Sequence, residues 1–497
     1  PNKVLIAKSG SQGLYVGMSD DNFIFSSDVY GLVENCRYYY SIPSDYYFFV
    51  DKTKNKFRLL LNSLNTNEKR IIKSKDFIES VITTRDISKM NYSHFLEKEI
   101  NQTESILNRT CISHVNINKL NNNYPNFFGN QFHNIDSGII KKIRDNSFKE
   151  IIITGMGTCY TAAVVISRYM RKVLRYQNPK IIVQPHIASE GSAFYLKNNM
   201  KDTLVIVIAQ SGTTIDTNVY VKLSKNRGAK TLSIVNKRDG DVTFLVDSSI
   251  YLGNGRDIEI AVPSTKTFNA HIITGYLLSL FFYYNTKKPN KKFLYNDAKR
   301  IIQTPKLADK SIKNFHNLNL KNKDLDNFLT KKNWFMLHDD SEVSASCQEV
   351  RIKLSECCYS SVPYHNIDYI KFHKITNSII IMMIGNKNSI SIKELTKLSK
   401  NNLIYIISSK LSLNIKNITV LKTPKTENFF SFLPSVIYGQ LLSYKIALRM
   451  DERKIFIQKL INNNFDKNSI MNLRKAIRNN IFVKGIEIKD LNIIEDL

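Results

Sequence analysis

Five consecutive residues, Gln210-Ser211-Gly212-Thr213-Thr214, have the make-up of an anion cradle. They follow an apolar-rich run, Leu204 to Ala209, and precede a helical pattern that starts near Asp216. At such a strand-to-helix turn the first amides of the helix have no intrahelical acceptor, and the helix dipole favours negative charge there. Ser211, Thr213 and Thr214 add hydroxyl donors. No lysine stands in the loop and the spacing is not GxxxxGK[ST], so a monophosphate on a small molecule fits better than a nucleoside triphosphate. An ordinary turn rich in small residues remains the alternative reading of this stretch by itself.

The elements that would hold such a loop can be read on either side of it. Strand KEIIITG (149–155) leads into Met156-Gly157-Thr158-Cys159, and a helix follows over 161–175. Strand KIIVQ (180–184) leads to Ile187-Ala188-Ser189-Glu190, then come the central strand, a helix over 216–226, and strands at 231–236 and 249–253. The stretch Glu259 to Lys266 opens a long apolar helix to about Tyr284. Strands alternating with helices at this spacing predict an α/β fold with a doubly wound parallel sheet, whose ligands bind at the carboxyl ends of the strands. Three loops, 155–159, 209–214 and 259–266, leave carboxyl-side positions, and all carry small or hydroxyl residues. Their convergence strengthens the phosphate reading.

A weaker copy of the pattern follows a basic, partly helical stretch at 290–330. It comprises strand 333–337, helix 343–358, strand 378–385, helix 391–399, strands 403–408 and 417–422, and helix 432–450. Its first loop reads His338-Asp339-Asp340-Ser341, without the glycines and hydroxyls of the first copy. Residues 1–63 read as short strands separated by Gly and Asp turns, and 64–90 are polar. A helix is expected over 91–111, with Phe95, Ile100, Ile106 and Leu107 on one face and Glu97, Lys98 and Glu99 exposed. Asn-rich residues 112–130 read as a linker. Residues 455–497 are charged and helical in pattern.

The 497 residues allow about three domains. Hydrophobic content of 43% and charged content of 23% are those of a globular protein. No apolar run reaches the roughly 18–20 residues of a membrane span, and no signal peptide opens the chain. The first residue is Pro1 in what reads as mid-domain, which suggests a fragment. Six scattered cysteines without a CxxC pair fit reduced thiols in a cytosol. Nine histidines form no ligand spacing, so no metal is indicated. The net charge of +28 is spread along the chain, and Lys, Asn, Ile, Tyr and Phe are plentiful together, as A/T-rich coding would produce. Nucleic acid is therefore not expected as a partner, while attraction of anionic metabolites is.

The motifs GMGTCY (155–160), IASE (187–190), AQSGTTIDT (209–217) and EIAVPSTKTF (259–268) resemble, in order and spacing, the first sugar isomerase (SIS) domain of the glutamine–fructose-6-phosphate aminotransferase family, the glucosamine-6-phosphate synthases. IAKSGSQGLYVG and FIFSSDVYGLVE resemble the end of that family's glutaminase domain, and FLEKEINQ its interdomain helix. EVRIKLSE (349–356) and LPSVIYGQLLSYKIALRM resemble parts of its second SIS domain. The resemblance implies a glutaminase remnant at 1–90, helix and linker at 91–130, a first SIS domain at 131–290, connecting helices at 291–330, a degenerate second SIS domain at 331–454 and an extension at 455–497.

It also implies an enzyme that binds fructose 6-phosphate and forms glucosamine 6-phosphate, with glutamine used only through an upstream domain. Neither cofactor nor membrane is involved, the location is cytoplasmic, and the protein is a homodimer for which the apolar helices 266–284 and 432–450 offer surfaces. Gly157, Thr158 and Cys159 fall on the family's first phosphate-sugar loop. Gln210, Ser211 and Thr214, with Gly212 and Thr213 between them, fall on the second, and Val262, Ser264 and Lys266 on the third. Glu349, Lys353 and Glu356 match the second domain's acidic and basic positions, the counterpart of Glu356 moving a proton between C1 and C2. Their i, i+4, i+7 spacing puts all three on one helix face.

The sequence also departs from the family. Cys159 and Ala209 stand where it usually has serine. The Lys-His-Gly-Pro turn is replaced by Asp368-Tyr369-Ile370-Lys371-Phe372-His373, in which His373 or Lys371 is the candidate substitute. No tail with an imine-forming lysine is recognisable after Met450. These departures support an alternative, a sugar-phosphate-binding protein without catalysis and with a regulatory role.

Overall fold

The computed structural model describes the chain apart from residues 1–2, 10–12, 20–21, 44, 54–55, 81, 85, 125, 239, 254, 256, 319, 340–341, 387 and 465–497. It divides into two compact units, Pro1–Gln303 and the remainder from Thr304.

The first unit begins with β1 (Lys3–Lys8), β2 (Tyr15–Met18), β3 (Phe23–Ser26), β4 (Tyr38–Ser41), β5 (Tyr46–Thr53), β6 (Lys56–Ser63), β7 (Lys69–Ile71) and β8 (Ile78–Glu79). They form two antiparallel sheets, ordered β1-β5-β6-β7 and β3-β2-β4-β8. Alternating residues such as Val16, Phe48, Val50, Leu59 and Leu61 point into one core, the period-2 burial of a sheet with one wet face.

The expected helix over 91–111 is two helices, α1 (Phe95–Asn101) and α2 (Thr103–His114), broken at Gln102. Ile100, Ile106 and Leu107 are buried as expected, but Lys98 and Glu99 are buried too. The ammonium of Lys98 and one carboxylate oxygen of Glu99 meet backbone groups. Lys98 Nζ donates to the carbonyls of Asp86 and Ser88, and Glu99 accepts from the amides of Ile260 and Ala261. The Asn-rich stretch expected as a linker is packed. It forms α3 (Ile117–Asn121) and α4 (Asn130–His133), and Val115 bridges Phe128. Leu120, Phe127, Phe128 and Phe132 are buried, with Phe127 and Phe128 stacked at 4.4 Å. A few large apolar side chains outweigh the polar count.

After α5 (Ser137–Arg144) come β9 (Glu150–Gly155), α6 (Thr158–Arg175), β10 (Ile182–Ile187), a turn of helix α7 (Ala188–Glu190), β11 (Thr203–Ala209), α8 (Ile215–Asn226), β12 (Lys230–Val235), α9 (Asp241–Leu245), β13 (Ser248–Tyr251), α10 (Lys266–Tyr284) and α11 (Lys291–Ile301). The five strands make one parallel sheet ordered β10-β9-β11-β12-β13. Every residue of β11 is buried, the signature of a central strand covered on both faces. Helix α10 is apolar all round and buried from Lys266 to Tyr283. It is therefore interior to its own unit and offers no surface for pairing, contrary to expectation.

The second unit repeats the design. It contains α12 (Thr304–His316), α13 (Asn322–Thr330), β14 (Asn333–His338), α14 (Val343–Cys358), β15 (Tyr364–Asn366), α15 (Tyr369–Phe372), β16 (Ser378–Met383), α16 (Ile392–Ser399), β17 (Leu403–Ser408), β18 (Ile418–Lys422) and α17 (Phe432–Asn464). Its parallel sheet runs β15-β14-β16-β17-β18, the same order as the first. Helix α17 extends past the expected end at Met450. Its first half, including Phe432, Leu433, Val436, Ile437, Tyr438 and Leu441, is buried, so this helix too is core rather than a pairing surface. Most of the expected extension, and Asp340 and Ser341 of the first loop of the copy, lie outside the described residues.

Candidate functional site

In the first sheet β9 and β11 are neighbours, while β10 lies on the outer side of β9. The strand order reverses between β9 and β11, so the chain leaves these two carboxyl ends in opposite directions and a crevice opens there. The two loops singled out for phosphate chemistry sit side by side at that point.

Between β9 and α6, Gly157 holds φ 52° and ψ −124° as the cap of the helix. That region is open to glycine, and a Cβ there would meet nothing within 4 Å. The backbone is thus bare toward open space. Thr158 and Cys159 occupy the first turn of α6, where amides lack intrahelical acceptors. The amide of Cys159 donates to Met156 O at 3.0 Å.

Between β11 and α8, Ser211 Oγ and Thr213 Oγ1 are 2.9 Å apart, and the Thr213 amide donates to Ser211 Oγ at 3.3 Å. Gly212 turns the chain at φ 74°, and its carbonyl accepts from the Val242 amide and from Asn218 Nδ2. Thr214 caps α8 and is exposed, with no side-chain bond to the helix. Among the described residues, no group accepts from the amides of Ser211, Gly212 or Thr214. These amides and the exposed hydroxyl of Thr214 form a donor-rich, acceptor-poor rim, the electrostatics a phosphate needs.

The third loop is organised differently. Glu259 is buried and serves as the cap of α10. Its carboxylate accepts from the amides of Thr265 (2.8 Å) and Thr267 (3.1 Å) and from the hydroxyls of Ser264 (2.9 Å) and Thr267 (2.5 Å). Ser264 is thus turned to Glu259. Lys266 is buried with Nζ 2.8 Å from Gln102 Oε1, and burial lowers its pKa. Val262 is 91% exposed.

Glu99 braces the same loop from α1 through Ile260 N at 2.5 Å and Ala261 N at 3.2 Å. Burial, and then the negative Glu259, push its pKa up to about 7. Its other oxygen, Oε2, has no partner among the described residues, which makes it the natural seat of that proton. The loop is tied back to the crevice by α10. His271, neutral because burial pulls its pKa down to about 4, lies 3.1 Å from Ala209 O through Nε2.

In the second unit Glu349, Lys353 and Glu356 share one face of α14. Lys353 Nζ is 2.9 Å from Glu356 Oε2 and 3.4 Å from Glu349 Oε1. Glu349 and Lys353 are wholly buried, whereas the Glu356 side chain is 37% exposed. One carboxylate of the group is therefore reachable and held beside Lys353. His373 is not part of this group. It is exposed, follows α15, and stacks on Tyr369 at 4.1 Å, with His365 on the other face of that ring at 3.9 Å.

At the carboxyl ends of β14 and β16 in the second sheet, the donors of the loop after β16 are met by a side chain of the chain itself. Asp339 Oδ2 accepts from the amides of Gly385 (2.9 Å) and Asn386 (2.6 Å) and from Ser389 Oγ (3.1 Å).

Sequence reasoning missed Glu99, Glu259, His271, Asn218 and Asp339. Glu259 opens a quoted motif and Asp339 ends a strand, but their partners lie on other loops, so only spacing through space reveals them. Among the described residues no cluster of three or more His, Cys, Asp or Glu could hold a metal ion, and no helix is long and apolar enough to cross a membrane. The six cysteines are thiols, not disulfides.

Residues 146–280 match the SIS domain family. Over 460 residues the chain is 27% identical to the glutamine–fructose-6-phosphate aminotransferase (isomerizing) of Clostridium tetani, covering 90% of this chain and 70% of that protein. The namesake from Buchnera aphidicola subsp. Acyrthosiphon pisum is 28% identical over 461 residues, with the same coverage of 90% and 70%. Among solved structures, the C-terminal domain of glucosamine-fructose-6-phosphate aminotransferase from Francisella tularensis aligns with a TM-score of 0.61 at 19% identity, covering 73% of this chain and 98% of that one. That structural likeness speaks for the fold.

Proposed function

We propose that this chain, a relative of the glutamine–fructose-6-phosphate aminotransferases, binds fructose 6-phosphate and forms glucosamine 6-phosphate. The observation that carries the reading is the adjacency, at the switch point of the first sheet, of the bare Gly157 turn and the 210–214 loop. In this reading the phosphate accepts from the amides of Ser211, Gly212 and Thr214 and from hydroxyls of Ser211, Thr213 and Thr214. Gly157, Thr158 and Cys159 close the other wall, with Gln210 at the strand end. Val262, Ser264 and Lys266 contribute through the third loop, which Glu259 and Glu99 hold in shape.

Isomerisation of a ketose to an aldose needs one base that lifts a proton from a carbon and returns it to the neighbour. Glu356 takes that role, oriented by Lys353 at 2.9 Å. Glu349 balances the buried ammonium from the other side. Nitrogen comes from glutamine through a glutaminase region of which 1–90 is the end. A cytoplasmic homodimer without a cofactor belongs to the same reading.

The exposed stack of His373 on Tyr369 favours a second reading. His373 stands where the family's ring-opening histidine is expected, and among the described residues no contact joins it to Glu356 or Lys353. A chain so built would bind sugar phosphate and not turn it over. The test is to incubate the full-length protein with glutamine and fructose 6-phosphate, assay glucosamine 6-phosphate, and titrate fructose 6-phosphate by calorimetry. Product formation supports the first reading. Binding without product supports the second, and no binding defeats both. Ser211→Ala with Thr214→Val should weaken binding at least tenfold, since hydrogen bonds to a charged group contribute about 1.5–3 kcal/mol each.

A further inference from the structure

The second sheet has the strand order of the first, so it has the same crevice, between β14 and β16. The loop after β16 also presents anion-binding groups, the amides of Gly385 and Asn386 and the hydroxyl of Ser389. All three converge on a single atom, Asp339 Oδ2, at 2.9, 2.6 and 3.1 Å, the Ser389 hydroxyl being shared with the Asn386 carbonyl. Three donors on one carboxylate oxygen is how a loop grips a phosphate oxygen. Asp339 is buried and follows directly on β14, the position that Met156 holds after β9. The crevice above it, about 610 Å³, is lined by Asp339, Glu342, Asn366, Asp368, Ser389 and Lys410 among others. Its charged lining residues are three carboxylates and one ammonium.

We propose that Asp339 is a built-in anion that occupies the phosphate cradle of the second sheet and so confines phosphate recognition to the first. The carboxylate satisfies the amides that a ligand would otherwise bind, and its charge, with Glu342 and Asp368 nearby, repels a phosphate dianion. Asp339 is thus a specificity-determining residue, since it leaves one of two topologically equivalent crevices able to hold the charged end of a sugar phosphate. The inference rests on the geometry of the second unit and stands whether or not the first crevice binds fructose 6-phosphate.

The test uses the whole chain carrying Ser211→Ala and Thr214→Val, which silences the first crevice, and inorganic phosphate as probe. This parent should bind phosphate negligibly by calorimetry. Adding Asp339→Ala or Asp339→Gly should create a site at least tenfold tighter, and adding Ser389→Ala should weaken it again at least threefold. Asp339→Asn should remain closed, because the amide oxygen still accepts from the loop. Loss of Asp339 also removes a buried hydrogen-bond hub, so thermal melting with and without phosphate provides a second readout. A destabilised Asp339→Ala chain should be stabilised by phosphate, and the parent should not. If Asp339→Ala and Asp339→Gly gain neither binding nor phosphate-dependent stabilisation, or if Asp339→Asn opens the site as fully as Asp339→Ala, the proposal is wrong.

Discussion

The two parallel sheets share a strand order and differ at one atom's worth of chemistry. In the first, the loop after β11 ends in amides and hydroxyls with no resident anion. In the second, the loop after β16 closes on Asp339. The helix after the first strand is specialised in the opposite sense. Helix α14 carries the Glu349–Lys353–Glu356 group, whereas the matching face of α6 is packed with residues such as Ala162, Val165, Ile166 and Tyr169. The second copy thus carries both a carboxylate at its strand ends and the Glu–Lys–Glu group on its first helix.

The largest expected effect tests the reactive half. Lys353→Met removes the ammonium 3.4 Å from the buried Glu349, and removing one partner of such a buried pair costs about 3–5 kcal/mol. Denaturant melts should show that loss, while calorimetry on chain that remains folded shows unchanged binding of fructose 6-phosphate. The next places the second sheet's plug in the first. Met156→Asp puts a carboxylate directly after β9, as Asp339 follows β14. Like charges brought together cost several kcal/mol, so hexose-phosphate binding should fall at least about a hundredfold, about 3 kcal/mol. Unchanged affinity would show that the two crevices are not equivalent.

The smallest effect concerns the titratable brace of the third loop. Glu99 has its pKa raised from 4.5 to about 7, so the folded chain holds a proton that the unfolded chain releases. Its contribution is full below pH 4.5 and is lost as pH rises through about 7. His271 acts in the opposite sense. Its pKa falls from 6.5 to about 4, so its contribution is present above pH 6.5 and is lost as pH falls. Glu99→Gln isolates the first effect. The difference in stability between variant and wild type should change by up to about 3 kcal/mol from pH 4.5 to 7, at about 1.4 kcal/mol per pH unit. A flat difference would mean that Glu99 titrates normally.

Much of the fold was legible because periodicity reports burial. The run Leu204–Ala209 has no polar face and became the central strand, and helix 343–358 was placed to the residue. Where reading failed, polarity misled it. Asn-rich 112–130 is packed through four aromatic or aliphatic anchors, and Lys98 and Glu99 are buried because distant backbone groups receive them. The apolar helix α10 was taken for a pairing surface although it is the interior of its own unit.

The sequence by itself determined the alternation of strands and helices, the small-residue turn at 210–214 and the shared face of Glu349, Lys353 and Glu356, since each depends on neighbours within a few residues. Only the tertiary structure decided that β9 and β11 lie side by side, that Glu99 and Glu259 bind the third loop, and that Asp339 meets the amides of the loop after β16. Those contacts join residues 46 to 162 positions apart, apart from the capping bonds of Glu259. Hydrogen bonding is local in space, and no linear pattern encodes which distant amide a carboxylate will meet.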